Sequence, residues 1–129
     1  MLTIPKEFDL HVETVRFIRE KYPEALLVPG LGEFQVTSEL RQVAWLKGYT
    51  SGQPDLLILS PSHDFHYSGF AIEFKHPNGK MKASAKQLLF LGSLKSAGFK
   101  TLVSHDFKEV VTELAHFFGA SPPSEVHDA

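Results

Sequence analysis

The stretch 51–75, SGQPDLLILSPSHDFHYSGFAIEFK, decides how this chain folds. It holds two apolar runs, DLLILS (55–60) and GFAIEFK (69–75), separated by a polar loop with Pro61, Ser62, His63 and Asp64. Apolar runs of this length bounded by turn residues read as β-strands, and the short loop makes them a hairpin. Residues two apart on a strand share a face, so Glu73 and Lys75 project together while Ile72 and Phe74 face the opposite layer. Asp55 opens the partner strand, where hairpin pairing brings its carboxylate toward Glu73. Two acids and one lysine are expected to converge.

Working outward, Pro5 precedes a helix over 6–22 with Phe8, Val12, Val15, Ile18 and Tyr22 at helical spacing, and Pro23 ends it. Residues 25–29 read as a strand, followed by a turn at Gly30 and Gly32. Thr37 or Ser38 caps a short helix that runs to about Lys47 and stops at Gly48, with Leu40, Val43, Ala44 and Trp45 as its apolar side. Beyond the turn at Pro77, Asn78 and Gly79, residues 84–97 form a helix carrying Leu88, Leu91 and Leu94. Residues 100–104 form a strand. Asp106 and Glu109 have capping-box spacing ahead of a final amphipathic helix with Val110, Val111, Leu114, Phe117 and Phe118. The order predicts an α/β fold, a mixed central sheet flanked by helices, in one domain over 1–120. The tail 121–129, SPPSEVHDA, is expected to be disordered.

The 129 residues, 43% hydrophobic and 22% charged, suit one soluble globular domain. With no cysteine, a disulfide framework, a thiolate metal site and a Cys nucleophile are excluded, so a bound metal would take carboxylate, histidine or carbonyl ligands. No basic leader with an apolar core is visible, and no apolar run approaches the ~20 residues that cross a bilayer, so a soluble intracellular protein without membrane contact is expected. The net charge of -2 is unevenly spread: from Phe74 to His105 there are six lysines and no acid, +6, while the remainder has 7 bases and 15 acids, -8. A basic stretch inside an acidic chain is the pattern of a phosphate-backbone contact, and equally of a solvated lysine-rich helix.

Two carboxylates held close together repel unless a divalent cation neutralises them, and Mg²⁺ prefers oxygen ligands with several waters retained. Such a cation polarises a phosphoryl oxygen, and an adjacent ammonium holds the attacking water or stabilises charge on the phosphate. Phosphodiester hydrolysis is the chemistry this grouping serves. An isolated E-x-K is also the ordinary polar face of a half-exposed strand, so the motif needs its surroundings.

Those surroundings are specific. SGQPDLLIL, GFAIEFKHPNGK and SAKQLLFLGSLKSAGFKTLV together resemble the VRR-NUC branch of the PD-(D/E)XK nuclease superfamily, with its G-x-PD, E-x-K strand, Gly-Lys turn and helix opening S-x-x-Q. The resemblance covers about Gly48 to Val103. It implies a restriction-endonuclease-like αβββαβ core and a Mg²⁺- or Mn²⁺-dependent endonuclease acting on DNA. It further implies Asp55, Glu73 and the Phe74 carbonyl as metal ligands, Lys75 as the catalytic lysine, and Gln87 as the helix-opening glutamine that orients the site. Lys80, Lys82 and Lys86 are then candidates for DNA phosphates. The family also draws an acid from its first helix, where Glu7 and Glu13 are both available; at 100° per residue Glu7 lies beside the apolar face and Glu13 on the far side, which favours Glu7.

Short stand-alone members of this branch resemble Holliday junction resolvases, which implies a homodimer on branched DNA, with residues 30–49 the candidate contact. A monomeric flap or single-strand nicking nuclease, and a catalytically inactive nucleic-acid-binding module of the same fold, stay open. His63 and His66 around Asp64 read as a mobile polar loop rather than a metal site. Trp45 and Tyr49 read as core or interface anchors, Gly30 and Gly32 lack the spacing and lysine of a phosphate-binding loop, and no G-x-S-x-G elbow is present.

Overall fold

The sheet is organised around β3 (Gly69–Phe74), whose six residues are all buried. Phe70, Ile72 and Phe74 point into the main core, and Ala71 and Glu73 point to the other side. In this computed structural model, which describes residues 7–80 and 82–120, β2 (Leu56–Ile58) pairs antiparallel with β3, Leu56 opposite Ile72 and Ile58 opposite Phe70. β1 (Leu27–Pro29) extends the sheet antiparallel to β2. On the other edge β4 (Phe99–Ser104) lies parallel to β3, which requires a crossover, supplied by α3 (Ala85–Ser96). The strand order is β1-β2-β3-β4, the mixed sheet of the restriction-endonuclease-like αβββαβ core.

α1 (Phe8–Lys21) and α4 (Phe107–Phe118) close one face of that sheet. Leu10 and Ile18 meet Leu56, Ile58, Phe70, Ile72, Phe74, Val110, Leu114 and Phe117 in a single buried cluster. The stack of Tyr22 on Phe118, ring centroids 4.2 Å apart, ties the end of α1 to the end of α4. α3 covers the Glu73 side.

Several local expectations are corrected. The buried stripe of α1 is Leu10, Thr14 and Ile18, while Phe8 and Val12 line an open apolar groove with Pro29, Leu31 and Phe34. The helix packs against both the sheet and α4, and the stripe it buries there is not the one with its largest apolar residues. Thr37, not Ser38, caps α2 (Ser38–Leu46), accepting from the Leu40 amide. A true reciprocal capping box is found at Ser84 and Gln87. At Asp106 a plain N-cap forms instead: its side chain accepts from the Lys108 amide, while the Ser104 hydroxyl accepts from the Asp106 amide and donates to the Glu109 carboxylate. The loop between β2 and β3 is pinned rather than loose: Asp64 accepts from the Ser62 hydroxyl and the His66 amide, and the His63 amide donates to Phe117 O. The hydroxyl and amide bonds to Asp64 also hold its carboxyl below the usual range.

Between β1 and β2 the chain makes a 3-10 turn (Gly32–Phe34) and α2, neither of which joins the buried hydrophobic cluster. α2 has no buried residue, and Trp45 is 70% exposed, so its reading as a core anchor is corrected. The start of the first helix at Pro5 and Lys6, and the tail 121–129, lie outside the described residues. Among the described residues no helix is long and apolar enough to cross a membrane.

Candidate active site

The site begins with strand register. Leu56 opposite Ile72 puts Asp55 opposite Glu73 one step further along, with both side chains on the same side of the sheet. The strand pairing ends there because side chains replace the ladder. The Asp55 amide donates to Glu73 Oε1 at 3.2 Å, and the Phe74 amide donates to Asp55 Oδ2 at 2.8 Å. Each acid is thus anchored by the backbone of the other's strand, which explains why β2 is shorter than the apolar run 55–60.

Two glycines make this close approach feasible. A Cβ at Gly30 would lie 2.4 Å from the Pro54 carbonyl oxygen, so only glycine lets the end of β1 pass beside Asp55, where the Gly30 amide donates to Asp55 O at 2.8 Å. Gly52 has φ +97 and would place a Cβ 2.5 Å from Lys86 O, so the loop that delivers Asp55 lies directly on the first turn of α3.

That first turn supplies Gln87. Its Nε2 donates to Glu73 Oε2 at 2.7 Å, and its Oε1 accepts from Lys75 Nζ at 2.9 Å and from the Ser84 amide at 2.8 Å. The Ser84 hydroxyl accepts from the Gln87 amide at 3.2 Å. One residue therefore closes the capping box of α3 and bridges Glu73 to Lys75, and the two jobs fix which end of its amide faces which partner. Lys75 Nζ also lies 3.2 Å from Glu73 Oε2.

Glu73 is only 3% exposed. Burial, and secondarily the Asp55 charge, push its carboxyl up to about 7 against the relief offered by Lys75. A buried acid raised by a neighbouring acid is where a cation gains most, and a donor set of two carboxylates without sulfur suits a hard ion. Asp55 and Glu73 therefore fit such an ion. They do so without a third protein acid or imidazole, since among the described residues no three of His, Cys, Asp and Glu are grouped to hold a metal.

Asp55, Glu73, Lys75 and Gln87 are thus brought together, with the Phe74 backbone between them. Glu7 is not gathered with them into a metal-holding group. It sits at the N-cap of α1, on the meridian of the buried stripe, and one turn further His11 stacks on the Phe74 ring, centroids 4.8 Å apart. Glu13 points away and pairs with Arg16 at 2.7 Å. Lys86 lines a cleft of about 290 Å³ with Asp55, Gln87, Ser84 and Tyr49. Lys82 lines a separate cavity with Lys75, and Lys80 is exposed in the turn where its amide donates to Asn78 Oδ1. The S-x-x-Q opening was read from the sequence, but not that the Ser84 backbone amide would orient the Gln87 side chain. Sequence reasoning also missed His105, which lines the Lys75 cavity; a single histidine after a strand carries no sequence signal.

The fold and this paired-acid site define a restriction-endonuclease-like α/β protein. A solved structure described as a VRR_NUC domain protein has the same fold, with a TM-score of 0.71 over 93% of this chain and 93% of that one at 16% identity. No protein-family model and no curated protein matches the chain.

Proposed function

We propose that this protein is a VRR-NUC-type, divalent-metal-dependent endonuclease that hydrolyses DNA phosphodiester bonds. The observation that carries the reading is the cross-anchoring of Asp55 and Glu73 beside Lys75, with Gln87 locking the amine to the acid. Asp55, Glu73 and the Phe74 carbonyl would hold Mg²⁺ or Mn²⁺, which supplies charge neutralisation at a phosphoryl oxygen and eases deprotonation of water. Lys75 directs N–H donors to the edge of the acid pair, where they orient a water molecule or meet charge growing on the phosphate. Gln87 keeps Lys75 from swinging away. Lys86 at the cleft, Lys82 in the neighbouring cavity and exposed Lys80 serve as phosphate contacts that guide the strand. Glu7, near the His11–Phe74 contact, is assigned at most a supporting place at the rim.

We further read the enzyme as a homodimer selective for branched DNA of the Holliday junction kind. One such site cuts one strand, and a two-fold axis matches a substrate of similar symmetry. The exposed apolar surface supports this assembly: Leu40, Val43, Trp45 and Leu46 on α2 continue across a cavity shared by Trp45, Leu89 and Phe90 onto α3.

The test is cleavage of four-way, flap and linear DNA by the parent and by Lys75→Ala, with Mg²⁺, Mn²⁺ or chelator. Metal-dependent cleavage that drops at least about a hundredfold in the variant is expected, as for loss of a charge-stabilising group. No cleavage of any substrate with either metal would transfer the fold to a nucleic-acid-binding role without catalysis.

A further inference from the structure

The Glu73–Gln87–Lys75 chain separates two cavities of opposite character. On one side is the cleft that contains Asp55. On the other is a cavity of about 390 Å³ whose lining includes Lys75, Lys82, Ser104 and His105 and no Asp or Glu, with the Lys75 ammonium turned to Gln87 and Glu73. Of the nearby acids, Glu73 lies behind Lys75, Glu109 accepts from the Ser104 hydroxyl at the cavity wall, and Asp106 accepts from the Lys108 amide in the first turn of α4.

His105 is held at the mouth of this cavity. It follows the last residue of β4, and its ring lies against Gly79, where a Cβ would come within 3.0 Å of Nε2. The turn that carries Gly79 is itself braced. The Gly79 amide donates to His76 O at 3.0 Å, the Asn78 amide to His76 Nδ1 at 3.1 Å, and the Lys80 amide to Asn78 Oδ1 at 2.9 Å. An imidazole beside a braced turn, a lysine on a flexible stem and a lining without Asp or Glu suit an anion, placed one side chain away from the proposed scissile position.

We infer that this cavity is a phosphate subsite, in which His105 and Lys82 bind the phosphodiester adjacent to the one that is cut. The inference rests on the nuclease reading for the identity of its ligand. Its physical content is narrower: a negatively charged linkage of a DNA strand sits between His105 and Lys82, and Lys75 marks the border with the reacting phosphate. His105 is a binding residue here and takes no part in bond cleavage.

The experiment measures binding of labelled four-way and linear DNA to the full chain in chelator, by fluorescence anisotropy. The proteins are the parent, His105→Ala, His105→Lys and Lys82→Ala, each checked for an unchanged melting temperature. Single phosphodiesters are replaced in turn by neutral methylphosphonates. His105→Ala and Lys82→Ala should each weaken binding by about three- to tenfold, and Lys82→Ala should lower the salt slope by about one. His105→Lys should restore the parent affinity. One methylphosphonate position should weaken the parent and have a clearly smaller effect in His105→Ala, where only Lys82 still meets that linkage. If His105→Ala binds as the parent does, or every methylphosphonate keeps its full effect in that variant, the subsite is wrong. Cleavage by the parent with Mn²⁺, run on the same DNA, separates the two readings. An inert parent with the expected binding pattern removes the nuclease and keeps the subsite, and an active parent without that pattern does the reverse.

Discussion

Glu73 is held buried beside a second acid, and its titration makes that tension measurable. Its folded value of about 7 lies above the ordinary glutamate value of 4.5, so between these values the folded state binds more protons than the unfolded one. The stabilisation is therefore fully present below about 4.5 and is lost as pH rises through about 7. In chelator, the melting temperature of the parent should decline across this window relative to Glu73→Gln, which has no group to ionise there. Parallel pH profiles for the two proteins would contradict the burial and like-charge argument. A divalent ion should reverse the trend, because it favours the carboxylate that pH 7 produces.

At the scale of elements, the start of α3 does two jobs with one glutamine. The Ser84 hydroxyl serves only the helix, whereas the Gln87 side chain serves both helix and site. Ser84→Ala should cost about 1 kcal/mol of stability, the usual loss for an N-cap, while leaving cleavage within about twofold. Gln87→Ala should cost a similar amount of stability and lower cleavage far more, since it unlocks Lys75. Chemical denaturation alongside single-turnover cleavage distinguishes them, and equal activity losses in the two variants would mean that the cap, not the amide bridge, governs the site. Legibility in the sequence follows the same division. The β2–β3 hairpin was readable because its apolar runs and polar loop are local, and E-x-K follows from strand alternation alone. The reciprocal capping box at Ser84 was carried by its spacing, whereas the one expected at Asp106 failed because Ser104, across a turn, competes for Glu109.

For the whole molecule, the feature most in need of a partner is the apolar surface of α2 and its extension onto α3. A nine-residue helix with no buried residue gains little from its own chain and would be marginal alone in water. Replacing the center of that surface, Trp45→Glu, should convert a dimer to a monomer in sedimentation or light scattering without lowering the melting temperature of the domain core. A parent that is monomeric at every concentration would remove the dimer from the proposal and leave the single-site chemistry intact.

What the amino-acid sequence determined by itself was the short-range part: the strand that aligns Glu73 with Lys75, the polar loop before it, and the order of helices and strands. Periodicity and turn chemistry act over a few residues, so they can be read without coordinates. Tertiary structure alone decided the pairing of Asp55 with Glu73 through each other's amides, the side of α1 that is buried and the placement of His105 in the cavity with Lys75. These depend on strand register, helix packing and the approach of segments distant in the chain, which no local pattern encodes.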